Sequence, residues 1–171
     1  MDARKAKDSF TTMNELVLPN DTNTFGDLMG GKLMYWMDIA AYLSASKHCN
    51  SACMTASVDN LSFKSPIKLG NVICIEAIVT RAFTTSMEVH LKVWNQNMIS
   101  QSRELSNEAF FTFVALDENK KPKEVPSIIA ETEEEKKYFD SALRRRQLRL
   151  ILAGKMKAND ATELKALFVK E

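Results

Sequence analysis

"GKLMYWMDIAAYLSASKH", residues 31–48, is the stretch on which the reading of this sequence turns. It has no proline and is long enough for about five helical turns. Between Lys32 and Lys47 it holds fourteen residues and one formal charge, Asp38. A helix apolar nearly all round is expected to be buried, wrapped by other elements. Asp38 is then the anomaly. Aspartate is a weak helix former, and burying it unpaired either costs several kcal/mol or raises its pKa until it neutralises. The neighbours at i±3 and i±4 are Met34, Tyr35, Ala41 and Tyr42, so no lysine or arginine can pair with it along the helix. Two readings stay open here. Asp38 is a structural residue bonded to a turn or lying at a subunit seam, or it is a nucleophile or general base in a pocket of low polarity.

The residues before the helix bear on that choice. Gly30 and Gly31 open it, although each glycine costs about 1 kcal/mol relative to alanine inside a helix. They make sense where something must approach the backbone closely. Free N–H groups at a helix start suit negative charge, including a developing oxyanion. Asp38 lies eight residues beyond Gly30, or ~12 Å by helical rise. One chain cannot aim both groups at one carbonyl, but two paired helices can. The spacing predicts a site at a dimer interface.

Outward from the helix the pattern changes to strands. "FTTMNELVL", residues 10–18, reads as a short strand stopped by Pro19, and "PNDTNTFGDLMGGK" reads as a structured loop. Residues 52–63, 71–83, 86–96 and 102–117 are rich in β-branched and aromatic residues and are separated by turn signals. In "SMEVHLKVW", Met87, Val89, Leu91 and Val93 alternate with Glu88, His90 and Lys92, which predicts an antiparallel sheet with one buried and one wetter face. Residues 131–153 place acids first and bases last, as a helix dipole favours, with Gly154 as the C-cap. "NDATELKALFVK" suggests a second short helix, with Asp160 and Glu163 at capping-box spacing. The fold class is α+β: a long helix against an antiparallel sheet, with a helical tail.

Bulk properties narrow the function. A chain of 171 residues can bury a proper core. A net charge of +1 gives no global attraction to nucleic acid or membrane, so neither is expected as a partner. Three cysteines, Cys49, Cys53 and Cys74, are too few and too odd for a disulfide framework and fit a reducing cytosol. "MDARKAKDSF" has no apolar h-region, and no apolar run approaches membrane-spanning length. A cytoplasmic protein is expected, and the sequons at Asn20 and Asn60 are read as chance matches.

"LPNDTNTFGDLMGGKLMYWMDIAA", "HCNSACMTASVDNLSFKSPIKLGNVI" and "TTSMEVHLKVW", taken together and in order over residues 14–126, resemble the hotdog-fold acyl-CoA thioesterases. The branch is that of the brain-type cytosolic long-chain acyl-CoA hydrolase and its bacterial single-domain relatives. The resemblance implies a hotdog domain over residues 8–130, with the helix wrapped by the sheet, and places 131–171 outside it as a C-terminal helical extension. It implies an active dimer, with three dimers assembling into a hexamer, and hydrolysis of acyl-CoA to free acid and CoA. Asp38 matches the family's catalytic carboxylate. Asn23 matches a polar side chain thought to orient substrate or water. Gly30 and Gly31 match the N–H donors to the thioester oxygen. Ser57, Lys64, Ser65, Arg81 and Thr84 lie on segments along which CoA runs. No cofactor is implied beyond the CoA of the substrate itself. A hotdog protein that binds CoA esters as a sensor, without hydrolysis, is the alternative.

Other constellations carry less. His48, Cys49 and Cys53 in "HCNSAC" fit no common zinc spacing, so no metal is expected, and His48 reads as a cation ending the helix. His48 and His90 raise a histidine-dependent dehydratase, but neither sits mid-helix. "RRRQLRL", residues 144–150, reads as a solvated helix face or an oligomer contact, with acids nearby at Glu131–Glu135.

Overall fold

The computed structural model describes residues 2–59, 61–63 and 65–168. The chain divides into two compact units, Met1–Ile129 and Ala130–Glu171.

In the first unit the principal helix α1 runs Gly30–Cys49, and the principal strands are β2 (Thr11–Leu16), β3 (Ala52–Asp59), β4 (Val72–Ala82), β5 (Ser86–Gln96) and β6 (Arg103–Leu116). These strands form one antiparallel sheet in the order β2-β4-β5-β6-β3. Helix α1 lies against all five, chiefly β4. The core sits between them. Leu33, Met37, Ala40, Ala41 and Ala45 of the helix meet Ile73, Ile75, Ala77, Met87, Val89, Leu91, Phe111 and Phe113 of the sheet, all buried. Alternation at period two supplies the sheet's share, and three alanines on the helix, Ala40, Ala41 and Ala45, allow the sheet to approach closely.

Two small elements were not legible in the sequence. Strand β1 (Arg4–Lys5) pairs in parallel with β7 (Ile128–Ile129). The pairing puts Arg4 at the end of α1, where its Nη1 donates to the carbonyls of Lys47 (3.1 Å) and His48 (2.7 Å). A cation thus meets the negative end of the dipole.

Three expectations are corrected. The helix is not buried all round: Met34, Tyr35, Tyr42 and Leu43 remain 38–58% exposed, because one five-stranded sheet covers one side of a rod. The second face of β5 is not wet along its length. Glu88 and His90 are buried, with Glu88 Oε1 accepting from Thr80 Oγ1 at 2.7 Å and His90 Nε2 2.8 Å from Glu108 Oε1. Strand β3 ends at Asp59 rather than residue 63; beyond it Asn107 Nδ2 holds the Ser62 carbonyl at 2.5 Å, a side-chain tether in place of a ladder.

In the second unit α2 runs Glu133–Leu152 and α3 Thr162–Lys165. Thr132 caps α2 by accepting from the Glu135 amide, while Glu135 Oε2 accepts from the Thr132 amide. Gly154, at φ +68, ends it, its amide reaching the Ile151 carbonyl and that of Lys155 reaching Leu150. The box expected at Asp160 and Glu163 does not form. Asp160 closes a 3-10 turn, Ala161 precedes α3, and Leu164 N donates instead to Gln147 Oε1 at 2.8 Å. The arginines of "RRRQLRL" are half-buried rather than solvated; Arg145 binds Ser141 Oγ and the Tyr138 carbonyl, using the guanidinium as an internal tie. No described helix is long and apolar enough to cross a membrane.

Candidate active site

The loop ahead of α1 is built by its polar side chains. Asp21 is buried and holds the turn from both ends: its Oδ2 accepts from Leu18 N, its carbonyl accepts from Met29 N, and its Oδ1 is 3.1 Å from Lys32 Nζ. Asn23 Oδ1 accepts from the amides of Phe25 and Asp27. That fixes its carbonyl to the loop and leaves its NH2 as the group able to donate outward. Gly26, at φ +75, turns the chain so that Asp27 pairs with Lys68 and the loop lies along residues 67–70.

These contacts frame a cleft of about 290 Å3, lined by Asn23, Gly30, Leu33, Phe63 and Ser65 among others. Among the described residues no protein acceptor faces the Gly30 and Gly31 amides, as expected for a first turn. Gly30 packs closely under Phe63: a Cβ there would lie 3.0 Å from Phe63 Cζ, tighter than ordinary contact, so the exposed ring would have to shift. Gly31 opens on free space.

Asp38 does not line that cleft. It is half-buried, on the side of α1 that the sheet leaves uncovered. Thr55 Oγ1 of β3 donates to its Oδ1 at 2.7 Å, and Oδ2 meets no partner among the described residues. Thr55 immediately precedes a bulge: it pairs with Phe113 and Ser57 with Thr112, so Ala56 is the extra residue. Sequence reasoning missed Thr55. A threonine in a strand is ordinary, and no local pattern ties it to an aspartate seventeen residues away.

The other candidates are dispersed. Ser57 lies just past Thr55, its hydroxyl 3.4 Å from Asp59 Oδ1. Ser65 is exposed at the cleft with Asn23 and Gly30. Lys64 lies outside the described residues, as does the sequon residue Asn60. Arg81 stands at the far end of β4, its guanidinium 6.0 Å from the Phe83 ring, and Thr84 is exposed in the β4–β5 turn. One chain therefore brings Asn23, Gly30 and Ser65 together, pairs Asp38 with Thr55, and keeps Arg81 and Thr84 apart from both.

His48 is corrected from the reading as a cation. It is buried, its Nε2 is 2.8 Å from the Pro126 carbonyl, and burial pushes its pKa down. Arg4 takes the capping role instead. Among the described residues no cluster of three or more His, Cys, Asp or Glu side chains is placed to hold a metal ion.

The match to the model of the thioesterase superfamily covers residues 25–100. A Bacillus subtilis protein named as an uncharacterized acyl-CoA thioester hydrolase is 42% identical over 144 residues, 84% of each chain. Longer mouse acyl-CoA thioesterases also match, and the chain spans 24–35% of their length. A hexameric acyl-CoA thioesterase, solved without ligand, is 41% identical with a TM-score of 0.86, over 90% of this chain and 98% of that one. The acyl-CoA hydrolase of Staphylococcus aureus, solved with butyryl-CoA, CoA and CoA disulfide, is 35% identical with a TM-score of 0.82, over 90% and 95%. Alanine variants of that enzyme at an asparagine, an aspartate and a threonine are also solved. In that order the three lie 15 and 17 residues apart, the spacings that separate Asn23, Asp38 and Thr55 here.

Proposed function

The chain belongs to the thioesterase superfamily, and from that premise we propose that it hydrolyses the thioester of acyl-CoA to free acid and CoA. The observation that carries this reading is the Thr55–Asp38 hydrogen bond of 2.7 Å. It pins one carboxylate oxygen on an otherwise apolar helix face and leaves the other open. Asp38 either takes a proton from water as the water attacks the carbonyl carbon, or attacks that carbon itself to give a mixed anhydride that water then cleaves. In both routes the C–S bond breaks and the CoA sulfur leaves as thiolate. Asn23 Nδ2 orients the carbonyl or the water.

The oxyanion donors in this reading are the Gly30 and Gly31 amides of a second protomer. Helix α1 is unbroken from Gly30 to Cys49, so Asp38 lies ~12 Å from its own Gly30 by helical rise. A dimer that covers Met34, Tyr35, Tyr42 and Leu43 brings each acid to the other helix start, and three such dimers make the hexamer. CoA runs past Ser57, Lys64 and Ser65, with Arg81 and Thr84 reaching its phosphates or pantetheine. Residues 8–130 are the thioesterase domain and 131–171 an extension, in a protein of the cytoplasm that needs no cofactor and binds neither nucleic acid nor membrane.

The test is free-thiol release with acyl-CoAs from C2 to C18, for the native chain and for Asp38→Asn. The expected result is release by the native chain and loss of at least about a hundredfold in kcat for the variant, with CoA binding retained. Undiminished turnover by Asp38→Asn refutes the assignment of Asp38. Saturable CoA-ester binding without thiol release by the native chain establishes the sensor instead.

A further inference from the structure

The C-terminal end of α1 holds a pair of reactive groups that thioester hydrolysis does not use. Cys49 closes the helix, Asn50 reverses the chain at φ 52, and Cys53 is the second residue of β3. Their Sγ atoms are 3.2 Å apart, and Ser51 Oγ donates to Cys49 Sγ at 3.3 Å. A disulfide bond is about 2.05 Å, so closing the pair takes a movement of roughly 1 Å across a four-residue turn. We propose that Cys49 and Cys53 are a redox-active dithiol, a modification site at which Cys49 attacks a low-molecular-weight anionic disulfide and Cys53 resolves the product.

The roles follow from the geometry. Either sulfur can carry the proton between them; the Ser51 hydroxyl that donates to Cys49 favours Cys53 as the donor, and that bond, against the opposing effect of burial, lowers the Cys49 pKa to about 6. The lowering favours the thiolate, the attacking form, at Cys49. The same hydrogen bond, together with burial, pushes the Cys53 pKa up. Cys53 thus keeps its proton until Cys49 has reacted. Once Cys49 carries a mixed disulfide its charge is gone, the suppression of Cys53 lifts, and the second thiolate forms beside the sulfur it must attack. Cys49 is only 4% exposed; it reaches the outside at the wall of a cavity of about 370 Å3 that Asp2, Arg4, Asn50 and Lys123 also line. The two cations outnumber the one carboxylate, Asp2, and favour a disulfide bearing carboxylates.

The electron count closes. The Cys49 thiolate displaces RS⁻ from RSSR and becomes Cys49–S–SR. Cys53 then loses its proton, and its thiolate displaces the second RS⁻ to leave the Cys49–Cys53 disulfide. In sum the two thiols lose two electrons and two protons, and RSSR becomes two RSH. Cys74, buried on β4 with its thiol pushed up by burial, has neither a partner thiol nor a lowered pKa and serves as an internal control.

The experiment incubates the full native chain with oxidised glutathione, quenches with N-ethylmaleimide and maps thiols by mass spectrometry. Expected is loss of two hydrogens in the peptides carrying Cys49 and Cys53, about tenfold or more faster than any reaction at Cys74. The rate should rise through pH 6 and then level off. Cys53→Ser keeps a hydroxyl donor and should retain glutathione at Cys49. If that variant does not fold, brief quenching of the native chain captures the same mixed disulfide. Glutathione that persists at Cys49 of the native chain beside a free Cys53 after prolonged incubation, no reaction at either sulfur, or reaction at Cys74 as fast as at Cys49 overturns the proposal.

Discussion

The hydroxyl of Thr55 makes a sharper test of the site than the carboxylate it serves. Thr55→Val keeps the β-branched shape that strand β3 needs and removes only the donor. Losing one hydrogen bond to a charged acceptor is worth about 1.5 kcal/mol, so kcat for thiol release should fall roughly tenfold with KM little changed. Thr55→Ser should restore most of it. His48 offers a different residue-scale check. Burial lowers its pKa in the folded chain, so well above about pH 6.5 it is neutral whether folded or not. As pH falls below that value the unfolded chain takes the proton first, and stability drops until the folded pKa is passed. Urea midpoints measured from pH 7.5 to 5 should therefore fall for the native chain. His48→Gln, which can still donate to the Pro126 carbonyl, should flatten that part of the profile.

At the scale of elements, α1 is held at both ends by groups distant in sequence. Asp21 meets Met29 N and Lys32 at the start, and Arg4 meets the Lys47 and His48 carbonyls at the end. Arg4→Ala removes two charge-assisted bonds and the favourable charge at the dipole's negative end. It should cost about 1–3 kcal/mol of unfolding free energy, seen as a lower urea midpoint with the m-value unchanged. Amide exchange should quicken in the last turn of α1, and not in its first, if the cap acts locally. Strand β3 matters for a related reason. Its bulge at Ala56 comes directly after the residue that touches Asp38, so the irregularity sits where a side chain must be aimed at the helix.

At the scale of the whole molecule, one protomer leaves an apolar surface beside its lone helical acid. Met34, Tyr35, Tyr42 and Leu43 of α1 are joined by Met54 and Val58 of β3, all exposed. On the proposed reading these residues form the surface that a second protomer covers. Tyr35→Glu puts a carboxylate on that face, and burying it there costs several kcal/mol. Sedimentation velocity should show a smaller species for this variant than for the native chain, and thiol release should fall with it although Asp38 is intact. A variant that keeps the native sedimentation coefficient would remove this surface from the assembly.

Much was written in the sequence itself. The eighteen-residue helical run, the alternation in β5 and the punctuation by Pro19 and Gly154 specify local structure, because a period of hydrophobicity and a turn residue act within a few positions. Asp38 stood out for the same reason: it interrupts a pattern that its immediate neighbours define. What the chain's linear order could not reveal is everything that depends on contact across the fold. The side of α1 left bare follows from how far one sheet can curl. Arg4 at the helix end, the neutral His48, the buried Glu88 and the failed box at Asp160 each reflect a partner or a burial from another element. Thr55 beside Asp38 and Cys53 beside Cys49 are pairings that exist only because β3 returns along α1, and hydrogen bonds and pKa values answer to distance in space rather than along the chain.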